Sequence, residues 1–217
     1  MPFIVIEALD AGGSQTQTDV LVRRLRGRKY NVLQLHFPHE DRATGRLIYD
    51  KFLHLKNKYP FSKREQALLY IQDFFSRAED IQNHLNKKTG RPVVVSDRFY
   101  TSTIAYQTAG LTGKNRQKMI SWIKWLCLKG KPGLIKPDLV IFLDTPVEIS
   151  LKHLANKKKD YHENKQKLTT FRTSYLRIAK EDGWVVISSV NDRGQQRSIE
   201  DIHHEIWRHI QPLLLPL

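Results

Sequence analysis

The chain has 217 residues and a mass of 25.4 kDa, a length that suits one α/β domain. Its formal charge of +14 and pI near 9.9 favour polyanionic partners, either nucleic acid or the phosphates of nucleotides. The single cysteine, Cys127, excludes an intramolecular disulfide and zinc-ribbon spacing, and it favours a reducing cytoplasm. No apolar run reaches membrane-spanning length, and residues 1–15 lack the order of a signal peptide. We therefore expect one cytoplasmic domain over residues 1–217.

Predicted strands and helices alternate along the chain. Residues 3–6 form an apolar run typical of a buried strand, and a small-residue turn at residues 10–13 precedes a helix around residues 20–25. Further strands are predicted at residues 31–36, 93–95, 139–143 and 184–187. The alternation predicts a three-layer α/β/α sandwich around a five-stranded parallel sheet.

Several helix boundaries follow from local signals. Asp41 is the predicted N-cap of a helix over residues 41–55. Ser62 and Glu65 have capping-box spacing at the start of a helix predicted to continue to about residue 87. Ser198 is the predicted cap of the last helix. Residues 152–167 are polar and lack apolar periodicity, so they are predicted to form a flap between two helices.

Residues 3–18 have the strand, small-residue turn and helix order of a phosphate-binding loop. The P-loop pattern requires Gly, four residues, and then Gly-Lys-Ser/Thr. Counted back from Gly13, Ala8 stands in place of the first glycine, Ser14 in place of the lysine, and Gln15 in place of the hydroxyl that binds Mg²⁺. By spacing alone, a tight turn without a ligand remains an equal alternative.

A second polar cluster, Ser96-Asp97-Arg98, follows the predicted strand at residues 93–95. Open α/β sheets bind their ligands beyond the carboxyl ends of the strands, so we expect a ligand near these residues. A local ion pair between Asp97 and Arg98 is the alternative interpretation.

In this order, the segments resemble the thymidylate kinases, which belong to the P-loop nucleoside monophosphate kinases. The resemblance covers nearly the whole chain and rests on residues 3–18, 37–38, 97–98, 105–107 and 137–148. It implies transfer of the γ-phosphoryl group of ATP to dTMP with Mg²⁺, in dTTP biosynthesis. It also implies a homodimer formed through helices, for which Trp122, Trp125 and Trp207 offer apolar bulk.

The resemblance implies roles for individual residues. Arg98 would bind the acceptor phosphate, while Asp97 and Thr16 would hold Mg²⁺. The phosphates of ATP would contact Ala11, Gly12, Gly13, Ser14, Gln15 and Thr16. The deoxyribose and thymine would contact Asp10, Phe37, Tyr70, Ser102, Thr103, Tyr106 and Gln107. Residues 152–167 would close over ATP as a lid that carries Lys157, Lys158 and Lys159.

The chain departs from the family pattern where cations are expected. Ser14 replaces the phosphate-binding lysine, and Glu40, Phe74 and Tyr161 stand where relatives have arginines. Losing a direct contact to transition-state charge costs roughly two to four kcal/mol. Arg42, Arg77 and the three lid lysines are the candidate replacements.

Two alternative functions stay open. One is an inactive relative that binds nucleotides as a sensor or scaffold. The other is a nucleic-acid-binding protein built on a kinase frame, which the charge of +14 motivates. The second is disfavoured because the basic residues are scattered along the chain without interleaved aromatic residues. Outside the family context, Tyr70 also fits a core position, and the lid lysines fit a solvated run.

Overall fold

The centre of the fold is a five-stranded parallel sheet with strand order β2-β3-β1-β4-β5. The computed structural model describes residues 1–53, 61–130, 132–155 and 164–214. The strands are β1 Phe3–Ala8, β2 Asn31–His36, β3 Pro92–Asp97, β4 Leu139–Asp144 and β5 Val185–Ser188. The predicted sheet is confirmed, and β5 lies one residue later than predicted.

Helices cover both faces of the sheet and complete the three layers. They are α1 Ser14–Gly27, α2 Ala43–Ile48, α3 Lys63–Phe75, α4 Ala78–Leu85, α5 Tyr100–Thr108, α6 Gly113–Leu128, α7 Val147–Leu154, α8 Lys165–Asp182 and α9 Ile199–Leu214. The core under α1 and α9 lies on one face, and the larger core under α3–α8 lies on the other. Across the described ranges, no helix is both long enough and apolar enough to span a membrane.

The central position of β1 determines where the functional site lies. All six residues of β1 are buried, and the strand pairs in parallel with β3 on one side and β4 on the other. In this register Ile6 lies opposite both Asp97 and Ile141. Because the strands run in one direction, the loop after β1 and the ends of β2, β3 and β4 meet at one edge. His36, Asp97 and Asp144 end three of these strands.

The single helix predicted from Ser62 to residue 87 is wrong. Its start is confirmed, since Ser62 and Glu65 form the reciprocal capping box. The helix α3 then ends at Phe75, because the Ser76 hydroxyl donates to the Asp73 carbonyl at 2.7 Å and Arg77 leaves helical geometry with φ −117° and ψ 3°. Apolar periodicity continues across this break into α4, so the sequence pattern did not reveal it.

The predicted helix over residues 41–55 with Asp41 as its cap is also wrong. Here α2 begins at Ala43 without a side-chain cap, and Asp41 pairs with the imidazole of His39 instead. A π-helical turn, Tyr49–Leu53, follows α2 directly, and residues 54–60 lie outside the described part. Such turns widen a helix locally and often occur at functional sites.

The ends of the predicted flap over residues 152–167 are helical. Residues 152–154 end α7, while α8 begins at Lys165 with Asn164 accepting from the Lys167 N–H at 2.9 Å. Lys157, Lys158, Lys159 and Tyr161 lie outside the described residues. The predicted cap of the last helix is confirmed, since the Ser198 hydroxyl accepts from the Asp201 N–H at 3.0 Å.

One tryptophan predicted for a dimer surface lies inside the fold. Trp207 is 5% exposed and packs in the core beneath α1 and α9. Trp122 is half-buried against the opposite core, whereas Trp125 is 61% exposed. Of the three, Trp125 therefore offers the largest exposed fraction for contact with another chain.

Candidate active site

A pocket of about 640 Å³ opens at the carboxyl edge of the sheet. It lies at the point where β1 separates the two halves of the strand order, which is where open α/β sheets bind ligands. It brings together the predicted residues Asp10, Ala11, Gly12, Gly13, Ser14, Gln15, Thr16, Phe37, Tyr70, Asp97, Arg98, Ser102, Thr103, Tyr106 and Gln107. The π-helical turn adds Tyr49 and Leu53 to the lining.

The loop between β1 and α1 has the backbone of an anion site. Ala11 and Gly13 adopt left-handed geometry, with φ of 55° and 97°, and the Gly12 N–H donates to the Leu9 carbonyl at 2.9 Å. Helix α1 begins at Ser14 without a side-chain cap. Its first N–H groups and the positive end of its dipole are therefore available to a phosphate.

Ala8 stands where the P-loop pattern has its first glycine, and Gly12 leaves room for the Ala8 methyl group. A Cβ on Gly12 would lie 2.9 Å from the Ala8 Cβ and 2.9 Å from the Leu9 carbonyl oxygen. The Ala8 methyl thus occupies space that a side chain at position 12 would need. Ala8 and Gly12 form a complementary pair that keeps the turn tight, which motif matching does not detect.

Arg98 is held in the pocket by its backbone and by its hydrogen-bond partners. Its φ of 65° turns the chain away from β3. Its Nη2 donates to Asp10 Oδ1 at 2.6 Å, and its Nη1 donates to the hydroxyls of Tyr106 at 3.2 Å and Tyr175 at 3.4 Å. Burial acts to lower the pKa of Arg98, but Tyr106 and Asp10 raise it well above its usual value. The ion pair considered between Arg98 and Asp97 is replaced by one with Asp10.

Glu7 supports this arrangement from beneath and was missed as a functional residue. It is fully buried and accepts hydrogen bonds from the hydroxyls of Thr101, Ser102 and Tyr175 and from the Phe99 N–H. Burial raises the pKa of Glu7. These bonds fix the first turn of α5 and use the hydroxyl hydrogen of Ser102. The available signal was a carboxylate within the apolar β1 sequence.

Asp97 offers one oxygen to a cation. Its Oδ2 is 2.9 Å from His36 Nδ1, whereas its Oδ1 is buried and has no hydrogen-bond partner in the described part of the chain. The side chains of Gln15 and Thr16 are exposed at the start of α1. Within the described ranges, no group of three or more His, Cys, Asp or Glu side chains could hold a metal. One carboxylate combined with substrate phosphates and water suits Mg²⁺, so these residues fit that ion.

Comparison with known proteins assigns the family. The sequence model described as Thymidylate kinase matches residues 6–206. The chain belongs to the thymidylate kinase family. It is 32% identical to the thymidylate kinase of Plasmodium falciparum, over 96% of this chain and 89% of the relative. It is 31% identical to a probable thymidylate kinase of Thermococcus onnurineus, over 98% of each chain.

Solved structures support the same assignment. The thymidylate kinase of Candida albicans superposes with a TM-score of 0.72 at 25% identity, covering 97% of this chain and 91% of that one. The thymidylate kinase of Ehrlichia chaffeensis gives a TM-score of 0.68 at 19% identity, which supports the fold alone. The chain is thus a thymidylate kinase-like phosphotransferase, from a family that uses ATP as donor and typically Mg²⁺.

Aromatic packing occupies a position where relatives were expected to have an arginine that binds the acceptor phosphate. The Phe74 ring is buried, with its centre 5.0 Å from that of Phe37. Arg42 and Arg77, the candidate replacements, both bind Asp80, at 3.2 and 3.1 Å. Neither arginine lines the pocket, so the structure does not bring them to the acceptor site.

On the donor side, the described lining offers few cations. Besides Arg98, the arginine in this lining is Arg197, which pairs with Glu205 at 2.7 Å and donates to the Ser188 carbonyl at 2.9 Å. His153 contributes an imidazole whose Nδ1 is 3.1 Å from the Ala11 carbonyl oxygen. The described part of the pocket therefore relies on backbone N–H groups more than on unpaired side-chain charge.

Proposed function

We propose that the chain is an active thymidylate kinase that transfers the γ-phosphoryl group of ATP to the 5′-phosphate of dTMP. Arg98 is the observation that carries this proposal, because its guanidinium is charged, oriented by Asp10 and exposed to the pocket beside the P-loop. A guanidinium has five N–H donors, so donors remain for two phosphate oxygens. Phosphoryl transfer needs mainly such positioning and charge neutralisation.

Two buried polar groups support recognition of the thymine edge. The Thr103 hydroxyl and the Gln107 side-chain NH₂ are buried, and neither has a hydrogen-bond partner among the residues that the structure describes. Buried polar groups are nearly always paired in a working site, so these two await a ligand. Tyr70 and Phe37 line the same pocket, and the half-buried Tyr70 offers aromatic surface to the base, while Phe37 is buried against Phe74. The Tyr106 hydroxyl donates to Asp10 Oδ1 at 3.1 Å. Because Asp10 is proposed to face the deoxyribose, Tyr106 would limit the space available beside that sugar.

The donor phosphates are assigned to the loop from Ala11 to Thr16. Its left-handed turn and the uncapped start of α1 present N–H groups that orient the phosphates. Asp97 would hold Mg²⁺ or its waters through Oδ1, with Thr16 as the nearest hydroxyl candidate. When bound, the ion neutralises charge on the phosphates. Lys157, Lys158 and Lys159 remain the proposed lid cations.

An inactive nucleotide-binding relative is the second candidate. Ser14 leaves the loop without its lysine, and Asp80 engages both replacement arginines of the acceptor side. In that case dTMP and ATP would bind without turnover. A pseudoenzyme of this kind would use the same pocket as a sensor of nucleotide concentration.

A coupled assay for ADP, run beside calorimetric titrations with dTMP and with ATP, separates the two candidates. We expect both nucleotides to bind and ADP to appear only when both are present. Arg98→Ala should weaken dTMP binding about tenfold to a hundredfold, because a charged hydrogen bond is worth roughly 1.5–3 kcal/mol. Arg208→Ala is the matched control, since Arg208 is exposed and does not line the pocket. Binding without ADP formation identifies the inactive candidate, and unchanged dTMP affinity in Arg98→Ala contradicts the site.

We also propose that the chain forms a homodimer through α3 and α6. Trp125 on α6 and Leu68 on α3 are 61% and 48% exposed. Trp122 lies on the same helix as Trp125, with the Arg64 guanidinium 5.4 Å from its ring centre. Exposed large apolar side chains on neighbouring helices are typical of an interaction surface.

A further inference from the structure

A second cleft, of about 500 Å³, lies at the edge of the sheet where the strands begin. It is formed by the end of α1, the residue before β3 and the end of α9, so it lies opposite the nucleotide pocket. We call it the basic cleft and define it by the lining residues Arg28, Lys29, Tyr30, Arg91, Trp207 and Gln211, together with Arg24 on the adjoining turn of α1.

Aromatic rings hold the cations of the basic cleft in place. The guanidiniums of Arg24 and Arg28 lie 4.0 and 4.9 Å from the centre of the Trp207 ring. The guanidinium of Arg91 lies 3.9 Å from the centre of the Tyr30 ring. A guanidinium remains charged while it lies over a ring face, and the N–H groups at its edge stay available to an anion.

These cations have no acidic partners among the residues that the structure describes. Arg24, Arg28, Lys29 and Arg91 take part in none of its ion pairs, although Arg24 and Arg28 approach the same ring. Several other arginines of the fold do pair with carboxylates, among them Arg98, Arg116, Arg172, Arg177 and Arg197. Grouped positive charge without a counter-ion favours binding of an anion.

We propose that the basic cleft binds the phosphate groups of a single-stranded nucleic acid. Exposed Lys87 and Lys88 lie in the same connection as Arg91, between α4 and β3, so positive charge continues beyond the residues that line the cleft, which suits a polyanion longer than one phosphate group. The rings are already covered by guanidiniums, so the cleft contacts the backbone and not the bases. The cations come from distant parts of the sequence, and folding gathers them. This site is independent of phosphoryl transfer.

Fluorescence anisotropy with a labelled single-stranded DNA of about 20 nucleotides tests the proposal across a series of salt concentrations. The variant Arg24→Gln, Arg28→Gln, Arg91→Gln should bind at least about tenfold more weakly than wild type. Each phosphate contact on a single strand adds about 0.7 to the slope of log affinity against log salt, so three lost contacts should lower the slope by about two. The variant Lys114→Gln, Lys118→Gln, Lys180→Gln is the matched control, because it removes the same charge from exposed positions on α6 and α8.

Two further measurements separate the proposal from its alternatives. Lys29→Gln with Arg91→Gln leaves the Trp207 contacts of α1 intact, so it tests the cleft if the triple variant fails to fold. These two substitutions should still weaken binding of the single-stranded DNA. Equal losses in the control variant would show diffuse attraction and overturn the proposal. Inorganic tripolyphosphate provides the other comparison: if it binds with the same dependence on Arg91 while the strand does not bind, the nucleic-acid assignment is wrong.

Discussion

A methyl group added at Gly12 should disrupt the loop between β1 and α1, which we propose binds the donor phosphates. The Cβ of Gly12→Ala would lie 2.9 Å from both the Ala8 Cβ and the Leu9 carbonyl oxygen, and 3.2 Å from the Leu9 nitrogen. Carbon atoms pack best at about 3.5–4.0 Å, so the loop has to open. The same movement would lengthen the hydrogen bond from the Gly12 N–H to the Leu9 carbonyl, now 2.9 Å.

Overpacking of this kind costs about 1–3 kcal/mol of unfolding free energy. For a chain of this length each kcal/mol lowers Tm by roughly 2–4 °C, so the expected fall is roughly 2–12 °C. Opening the loop should also reduce the extra stability that ATP gives, because ligand stabilisation follows affinity. Thermal denaturation with and without ATP measures both effects.

Ala8→Gly tests whether the Ala8 methyl is one of the groups that exclude a side chain at position 12. Ala8→Gly removes one of the two closest contacts but leaves the one with the Leu9 carbonyl, so it should rescue Gly12→Ala only in part. We expect a coupling of at least about 0.5 kcal/mol in the double-mutant cycle. Gly27→Ala is the control, since a Cβ there meets nothing within 4 Å and alanine is the better helix former. Independent effects of Ala8→Gly and Gly12→Ala, or an unchanged Tm in Gly12→Ala, would refute the paired-residue interpretation.

The remaining predictions concern charge, pH and assembly. Ser14→Lys with Gln15→Ser should raise kcat/KM about a hundredfold by restoring charge at the transferring phosphoryl group; an unchanged value would mean that another cation already acts there. Burial lowers the pKa of His203 from 6.5 to about 4, so the folded state keeps it neutral while the unfolded state binds its proton. Stability should therefore be complete above pH 6.5 and be lower by about 2 kcal/mol at pH 5, and urea titrations of His203→Leu should lack this loss. Trp125→Glu should convert the proposed dimer to monomer in analytical ultracentrifugation, and a monomeric wild type would contradict the interface.

Local signals explain which parts of the fold could be predicted. Four of the strands, β1, β3, β4 and β5, contain continuous apolar runs, and the Ser62–Glu65 capping box acts within one turn, so both can be read from short windows. The break between α3 and α4 could not, because the apolar period runs through it. The break coincides with two polar contacts, each within one turn, from the Ser76 hydroxyl to the Asp73 carbonyl and from Arg77 to Asp80, and apolar periodicity does not register polar contacts of this kind.

The candidate site also contains residues that could be predicted from the sequence and residues that could not. The loop residues and Arg98 were predicted because each belongs to a short stretch with a recognisable order. Glu7 was not, because its Tyr175 partner is 168 residues away in the sequence. The pairing of Ala8 with Gly12 required the distance between two atoms that a motif treats as separate positions. Sequence patterns therefore leave out contacts between distant residues, such as Glu7 with Tyr175, and close approaches of atoms within one turn, such as Ala8 with Gly12.

The two proposed sites differ mainly in whether their positive side chains are paired with carboxylates, and less in how many such side chains they have. In the nucleotide pocket, Arg98 is matched by Asp10 and Arg197 by Glu205, so little net positive charge remains on its described side chains. Phosphates there would be held by backbone N–H groups at short range, which salt screens weakly. At the opposite edge the cations lack acidic partners within the described part of the chain, so a strand bound there should respond steeply to salt. The formal charge of +14 is therefore a poor guide to nucleotide affinity and a better guide to the basic cleft.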